Sequence, residues 1–304
     1  MIYTVTFNPS LDYYVNVNNV RTGMVNRTTG ERLEVGGKGL NISLALRELD
    51  EETKALGFVA GFTGKYIKDK IKELGLDCDF IEVQGLSRIN VKIRSNNETD
   101  INGTGALVTD EDVAKLARKL KKELKPGDWL VVSGSVPPSL GDTAYADLFK
   151  RLKSVKDVKL VVDACGKLLT NTLQYHPFMI KPNIYELCEI FGYKSIPSDL
   201  EELFACARKL QDQGARNVIV SMGAGGAVMV TETMQSLYIR ATKGQLVNSV
   251  GAGDSMIAGF IHEYLRSGNY FSSLNYATAA GSACAFTKNL ATKAQIEYIE
   301  SLML

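Results

Sequence analysis

The chain has 304 residues, is 45% hydrophobic and carries a formal net charge of +1. That length suits one large α/β domain, or a domain with a small appendage, and near-neutrality excludes the basic field that nucleic acid or an anionic membrane requires. Five scattered cysteines without a Cys-x-x-Cys pair exclude a disulfide framework and a zinc site; with no basic leader and no span-length apolar run, reduced, mostly buried thiols in a cytoplasmic protein are expected.

The opening stretch IYTVTFN is β-rich, residues 13–20 (YYVNVNNV) alternate partly in period two, and 26–35 are polar and β-compatible. GGKGLNISLALRELD reads as a glycine turn entering a helix, with Leu40, Leu44, Ala45 and Leu49 on related faces. TKALGFVAG predicts a strand, and TGKYIKDKIKELG a helix that stops at Gly75. RINVKIRS (88–95) and TDINGTGALV (99–108) predict a second pair of strands. From Thr109, an expected N-cap, a helix runs to about Lys125, and PGDWLVVSGS follows as a buried strand with Trp129 in the core. Then come a helix over 143–155, the strand VKLVVDA, a helix over 167–175, the strand FMIKPN and a helix over 184–191. Ser198 and Glu201 have capping-box spacing and open a helix that ends at Gly214. NVIVSMG, GAVMVT, SLYIRAT and QLVNSV predict strands, and helices near 254–267, 272–287 and 293–303 close the chain.

Strands alternating with helices predict an α/β fold: a mainly parallel central sheet with helices on both faces. Segments 13–35 and 88–108 are strand-rich and polar and lack helices, so they are expected to form a small β lid. The core is then 1–12, 36–87 and 109–304.

Two glycine clusters carry the chemistry. In NSVGAGDS (248–255), Met256 stands where a dinucleotide fingerprint needs its third glycine, and no Walker A string occurs anywhere. What remains is a helix start at Asp254 behind Gly251, Ala252 and Gly253, whose free N–H groups and dipole suit an anionic oxygen. Asp254 would be kept ionised there, able to orient a hydroxyl and accept its proton. An ordinary helix start with a favourable acid would look the same. In VGGKGLNIS (35–43), Gly36, Gly37 and Gly39 allow close backbone approach, Lys38 supplies charge and Asn41 can bond sugar hydroxyls. Arg88, Asn90 and Lys92 alternate along one strand, so their side chains share a face. Two cations and an amide there suit a phosphomonoester, although solvated edge strands also carry such residues.

These motifs resemble the signatures of the ribokinase-like sugar kinases, in the phosphofructokinase-B branch. TFNPSLDY, GGKGLN, RINVK, INGTG, KPNIYE, SMGAGG and NSVGAGDS fall in family order along the whole chain. The resemblance narrows to members acting on phosphorylated ketohexoses. It implies phosphoryl transfer from MgATP to fructose 1-phosphate, with tagatose 6-phosphate and fructose 6-phosphate as alternative acceptors. It assigns Asp12, Gly37, Lys38, Asn41, Arg88, Asn90, Lys92 and Asn102 to the sugar phosphate. Lys181 and Asn183 go to the ATP phosphates, and Glu186 to Mg2+, largely through water. Ser221, Gly223, Gly226, Lys243, Gly244 and Asn275 are assigned to the nucleotide. Asn183 and Glu186 also have the spacing of an N-capping pair. A monovalent-cation site near the 248–253 loop, found in some relatives, stays open on the sequence. So does a homodimer formed by pairing lid strands across a two-fold axis.

His262 is expected to be structural and His176 to lie in a loop. A non-catalytic sugar-phosphate sensor, the rival from another class, would have lost Asp254 or broken the KPNxxE string, and neither is lost.

Overall fold

A computed structural model describes residues 1–303. β1 (Ile2–Thr6) is fully buried in the interior of a ten-stranded sheet. The chain then passes through Phe7–Pro9 into β2 (Ser10–Asn16), which pairs antiparallel with β3 (Gly30–Gly36) in a separate four-stranded sheet. α1 (Lys38–Glu48) leads back to β4 (Thr53–Ala60), parallel to β1. α2 (Gly61–Glu73), β5 (Asp77–Cys78) and β6 (Ile81–Val83) complete that edge. β7 (Arg88–Arg94) and β8 (Thr99–Asn102) return to the small sheet, whose order is β3-β2-β7-β8.

After α3 (Asp110–Glu123) the chain crosses to the other side of β1. There β9 (Trp129–Ser133), α4 (Ala144–Leu152), β10 (Lys159–Asp163), α5 (Gly166–Thr170), β11 (Met179–Ile180), α6 (Ile184–Phe191), α7 (Leu200–Asp212) and β12 (Asn217–Ser221) follow. These four strands are parallel, and the Val/Ile/Leu runs of β9, β10 and β12 suit strands covered on both faces. β13 (Ala227–Val230) and β14 (Ser236–Ile239) add an antiparallel edge, and α8 (Ala252–Ser267), α9 (Tyr270–Ala285) and α10 (Lys293–Ser301) end the chain.

One core lies under α3, α4 and α7, with Leu116, Tyr145, Leu148 and Leu203, and a second under α1, α8 and α9, with Leu46, Ile257, Phe260 and Ala280. Trp129 is buried in the second, edge-on to Phe178. His262 is buried too, its Nδ1 2.7 Å from Glu51 Oε1. The chain's reversal at β1 opens a crevice beyond the carboxyl ends of the parallel strands, where ligands bind in such sheets. Among the described residues no helix is long and apolar enough to cross a membrane.

Several local expectations need correction. QLVNSV is irregular rather than a strand, because the N–H groups of Val247 and Asn248 donate to Ala285 O at the end of α9. The helix expected over 167–175 breaks into α5 and a 3-10 turn at Leu173–Tyr175. Asp199, not Ser198, caps α7: its carboxylate accepts from Glu202 N, while Ser198 N donates to Glu202 Oε2. The small sheet begins at Ser10, which takes Asp12 into it, and its last strand stops at Asn102, leaving 103–108 as a return. Cys165 is exposed, whereas Cys188, Cys206 and Cys284 are buried.

Candidate active site

The carboxyl ends of β10 and β11 bring Asp163 and Lys181 beside the amino end of α8. Gly251 caps that helix in the left-handed region, at φ 84°. A Cβ on Gly253 would stand 3.0 Å from Lys181 Nζ, so the missing side chain lets the ammonium lie against the helix start. Among the described residues the N–H groups of Gly253 and Asp254 meet no acceptor, leaving two oriented donors for an anion.

Asp254 sits in the first turn, 5% exposed, and its Oδ2 accepts from Asn41 Nδ2 at 2.8 Å. Asn41 belongs to α1, so the two glycine clusters meet across this bond. Burial, then the nearby Asp163 carboxylate, push the Asp254 carboxyl up to about 6; Lys38, Asn41 and Lys181 offset part of the rise. Burial thus makes Asp254 more basic than an ordinary carboxyl, while a value of about 6 leaves it mostly ionised at neutral pH. A carboxylate of that basicity is a better proton acceptor near neutrality than an ordinary aspartate.

Asp163 is fully buried between two cations. Lys38 Nζ lies 3.2 Å from its Oδ2 and Lys181 Nζ 3.5 Å from its Oδ1, and Ser133 Oγ donates to Oδ2 at 3.2 Å. Burial alone would raise the Asp163 carboxyl; the two ammonium groups reverse that and hold it low. Burial alone would likewise depress the Lys38 ammonium, but Asp163, Asp254 and Glu186 raise it above its ordinary value. Lys38 is therefore a permanent cation among three carboxylates.

On the small sheet, register sets Asp12 opposite Asn90 and Asn90 opposite Asn102, which puts the three on one face. Asp12 Oδ1 accepts from Ser10 Oγ and Asn90 Nδ2, each at 2.8 Å. Asn90 Oδ1 is buried without a partner, an acceptor available to a sugar hydroxyl. Arg88 Nε donates to Asn8 O at 3.0 Å. Lys92 shares the face of Arg88 four residues along the strand, about 13 Å between their backbones, and its Nζ is paired 3.0 Å from Asp100 Oδ2.

Asn183 caps α6, its Oδ1 accepting from Tyr185 and Glu186 N–H at 2.9 Å, while Glu186 Oε2 accepts from Asn183 N at 2.8 Å. Glu186 Oε1 accepts from Cys165 Sγ at 3.0 Å. Although the residue as a whole is exposed, desolvation of the sulfur in the cleft, then that carboxylate, push the Cys165 thiol up to about 12, so it stays a donor. Ser221 stands beside Asn183 through a parallel bridge, and Gly223 and Gly226 shape the turn that follows. Gly244 packs on the Phe286 ring, near the start of α8, with Lys243 exposed beside it. Asn275 does not join them. α9 runs antiparallel to α8, so this residue lies near the far end, donating to Glu300 Oε1 at 3.4 Å.

A cleft of about 440 Å³ opens at the centre, lined by Gly37, Lys38, Arg88, Gly134, Ser135 and Cys165 among others. Lys38 and Arg88 line this cleft, and Asp163 ties Lys38 to Lys181 and so to the start of α8, an arrangement suited to anionic groups. The model for pfkB family carbohydrate kinases matches residues 6–296. The chain belongs to this family.

Among relatives of this PfkB kinase, a 1-phosphofructokinase of Bacillus subtilis is 40% identical, with 100% of this chain and 97% of the relative aligned. A D-tagatose-1-phosphate kinase of Bacillus licheniformis is 36% identical, covering 99% and 98%. Phosphofructokinase-2 of Escherichia coli, solved in complex with potassium, superposes with a TM-score of 0.91 at 23% identity over 99% and 98% of the two chains, a likeness of fold. The fold is thus ribokinase-like, with the small sheet as its separate four-stranded layer.

Sequence reading missed three features of the PfkB site. Asp163 ends VVDA, which reads as a buried strand with no motif; its place at the carboxyl end of a parallel strand was the available signal. Ser135 and Asp142 line the cleft from the loop after β9. Cys165 had been set among the inert thiols, and only the fold brings it to Glu186.

Proposed function

We propose that this carbohydrate kinase transfers the terminal phosphoryl group of MgATP to the C6 hydroxyl of fructose 1-phosphate, giving fructose 1,6-bisphosphate and ADP. The observation that carries the reading is Asp254: a buried carboxylate of raised basicity, in the first turn of a helix whose leading N–H groups are free. It accepts the hydroxyl proton as the oxygen attacks. The N–H groups of Gly253 and Asp254, with Lys38 and Lys181, hold the negative charge of the moving phosphoryl group. Asp12, Asn90 and Asn41 orient the sugar, and Arg88 takes its phosphate by charge-assisted hydrogen bonds. Asn183, Ser221, Gly223 and Gly226 border the nucleotide. Asp163 holds both lysines in place.

Magnesium is bound through one or two carboxylates together with substrate phosphates and water. Glu186, with Asp163 beyond Lys38, fits that demand, and among the described residues no three-ligand cage competes with it. Bound with the nucleotide, Mg2+ supplies charge neutralisation at the phosphates.

The substrate is supported by the Bacillus subtilis relative's name; the Bacillus licheniformis name favours a second reading with D-tagatose 1-phosphate as acceptor. ADP release measured with both ketose 1-phosphates, tagatose 6-phosphate, fructose 6-phosphate and free fructose decides between them. Reaction of unphosphorylated fructose alone would overturn the role of Arg88. The small sheet also exposes Leu33, Ile89 and Ile101, which supports the homodimer through the lid; sedimentation of the purified chain as a monomer would remove it.

A further inference from the structure

Cys165 precedes α5, two residues beyond Asp163, and lines the cleft beside Lys38. Its thiol donates to Glu186 Oε1 across 3.0 Å, while Glu186 Oε2 accepts from Asn183 N at 2.8 Å. The second bond belongs to the cap of α6 and would exist wherever that helix formed. The first comes from the end of a different strand. A carboxylate held at one oxygen still swivels about its terminal torsion, which is broad and roughly two-fold. Held at both oxygens, its plane is fixed.

We propose that Cys165 is a positioning residue whose thiol fixes the plane of the Glu186 carboxylate, so that the remaining lone pairs face the metal of the bound nucleotide. The inference rests on the metal reading of Glu186 given above. A carboxylate offers about four lone-pair sites, and two are occupied here. A thiol suits the task because it is a weak donor. It orients the oxygen while leaving most of its charge for metal-bound water, whereas a lysine in its place would compete with the cation. Outer partners of this kind tune metal affinity without touching the metal.

Calorimetric binding of a non-hydrolysable ATP analogue, in Mg2+ and in EDTA, tests the proposal without turnover. In Cys165→Ala the gain in affinity conferred by Mg2+ is expected to shrink about 3- to 10-fold, at or below the usual range for losing an outer partner because a thiol is weak. Affinity in EDTA and the melting temperature stay as in the wild type, and Cys165→Ser restores the Mg2+ gain. An unchanged gain in Cys165→Ala, an equal loss in EDTA, or a serine variant no better than alanine overturns the proposal. A wild-type protein whose affinity ignores Mg2+ overturns both the metal reading of Glu186 and the role of Cys165. The acceptor panel reports on the sugar independently of either result.

Discussion

Replacing Asp254 by asparagine is expected to abolish useful turnover and, at the same time, to stabilise the fold. The folded protein raises this carboxyl from an ordinary 3.8 to about 6, chiefly by burial and by the Asp163 carboxylate. A carboxyl whose pKa is higher in the folded than in the unfolded state contributes stability that is complete at low pH and lost as pH rises through the folded value. At pH 8 the wild type therefore carries a deficit of up to about 3 kcal/mol, from about two pKa units at 1.36 kcal/mol each. The asparagine variant lacks that deficit, and its amide oxygen can keep the bond from Asn41. For a chain of this size the gain is about 5 °C in melting temperature. By pH 4 it should fall below about 1 kcal/mol, because the carboxyl is then protonated in the folded state and partly so in the unfolded one. Scanning calorimetry at both pH values, beside single-turnover kinetics, reads the two effects. Turnover should drop about 10²- to 10⁴-fold, the usual contribution of a general base. A variant that melts lower than wild type at pH 8, or that keeps its turnover, refutes the reasoning.

Three further outcomes follow from the same geometry. The wild-type kcat should decline below about pH 6, tenfold per pH unit, as Asp254 takes up its proton; a flat profile to pH 5 would remove it as the base. Arg88→Ala should raise the KM for fructose 1-phosphate about 10- to 100-fold, the worth of charge-assisted bonds to a phosphate, with the KM for ATP within about twofold. Equal effects on both substrates would place Arg88 elsewhere in the reaction. Asp163→Ala leaves Lys38 and Lys181 without their shared carboxylate and should cost about 3–5 kcal/mol in urea unfolding. A loss below about 1 kcal/mol would show that the two lysines find solvent instead.

Much of the fold could be read from period and turn chemistry, because a parallel sheet covered on both faces writes itself as Val/Ile/Leu runs between helices. The glycine strings located Asp254, Asn41 and Lys38, and the bond between Asn41 and Asp254 joins segments 213 positions apart. Readings failed where partner identity decides the outcome. Lys92 was placed on the correct face by alternation, but its neutralisation by Asp100 depends on strand register. QLVNSV has the composition of a strand, yet α9 offers its N–H groups a carbonyl and no edge strand does. The family resemblance assigns Asn275 to the nucleotide, but the antiparallel run of α8 and α9 carries it toward the far end of α8, where it meets Glu300.

The small sheet is joined to the large one by four brief crossings: 7–9, Gly37, 84–87 and 103–109. Two of them flow directly into Asp12 and Arg88, and a third into Lys38. Of the residues proposed to read the acceptor, Asp12, Asn90 and Arg88 ride on one layer, while Asn41 stands on the other with Asp254, Asp163 and Lys181. Mutation in the first layer can alter which hydroxyl is presented while the transfer chemistry keeps its geometry. Substitutions in the small sheet are therefore expected to change acceptor choice by small steps while the layer that carries out transfer stays unaltered.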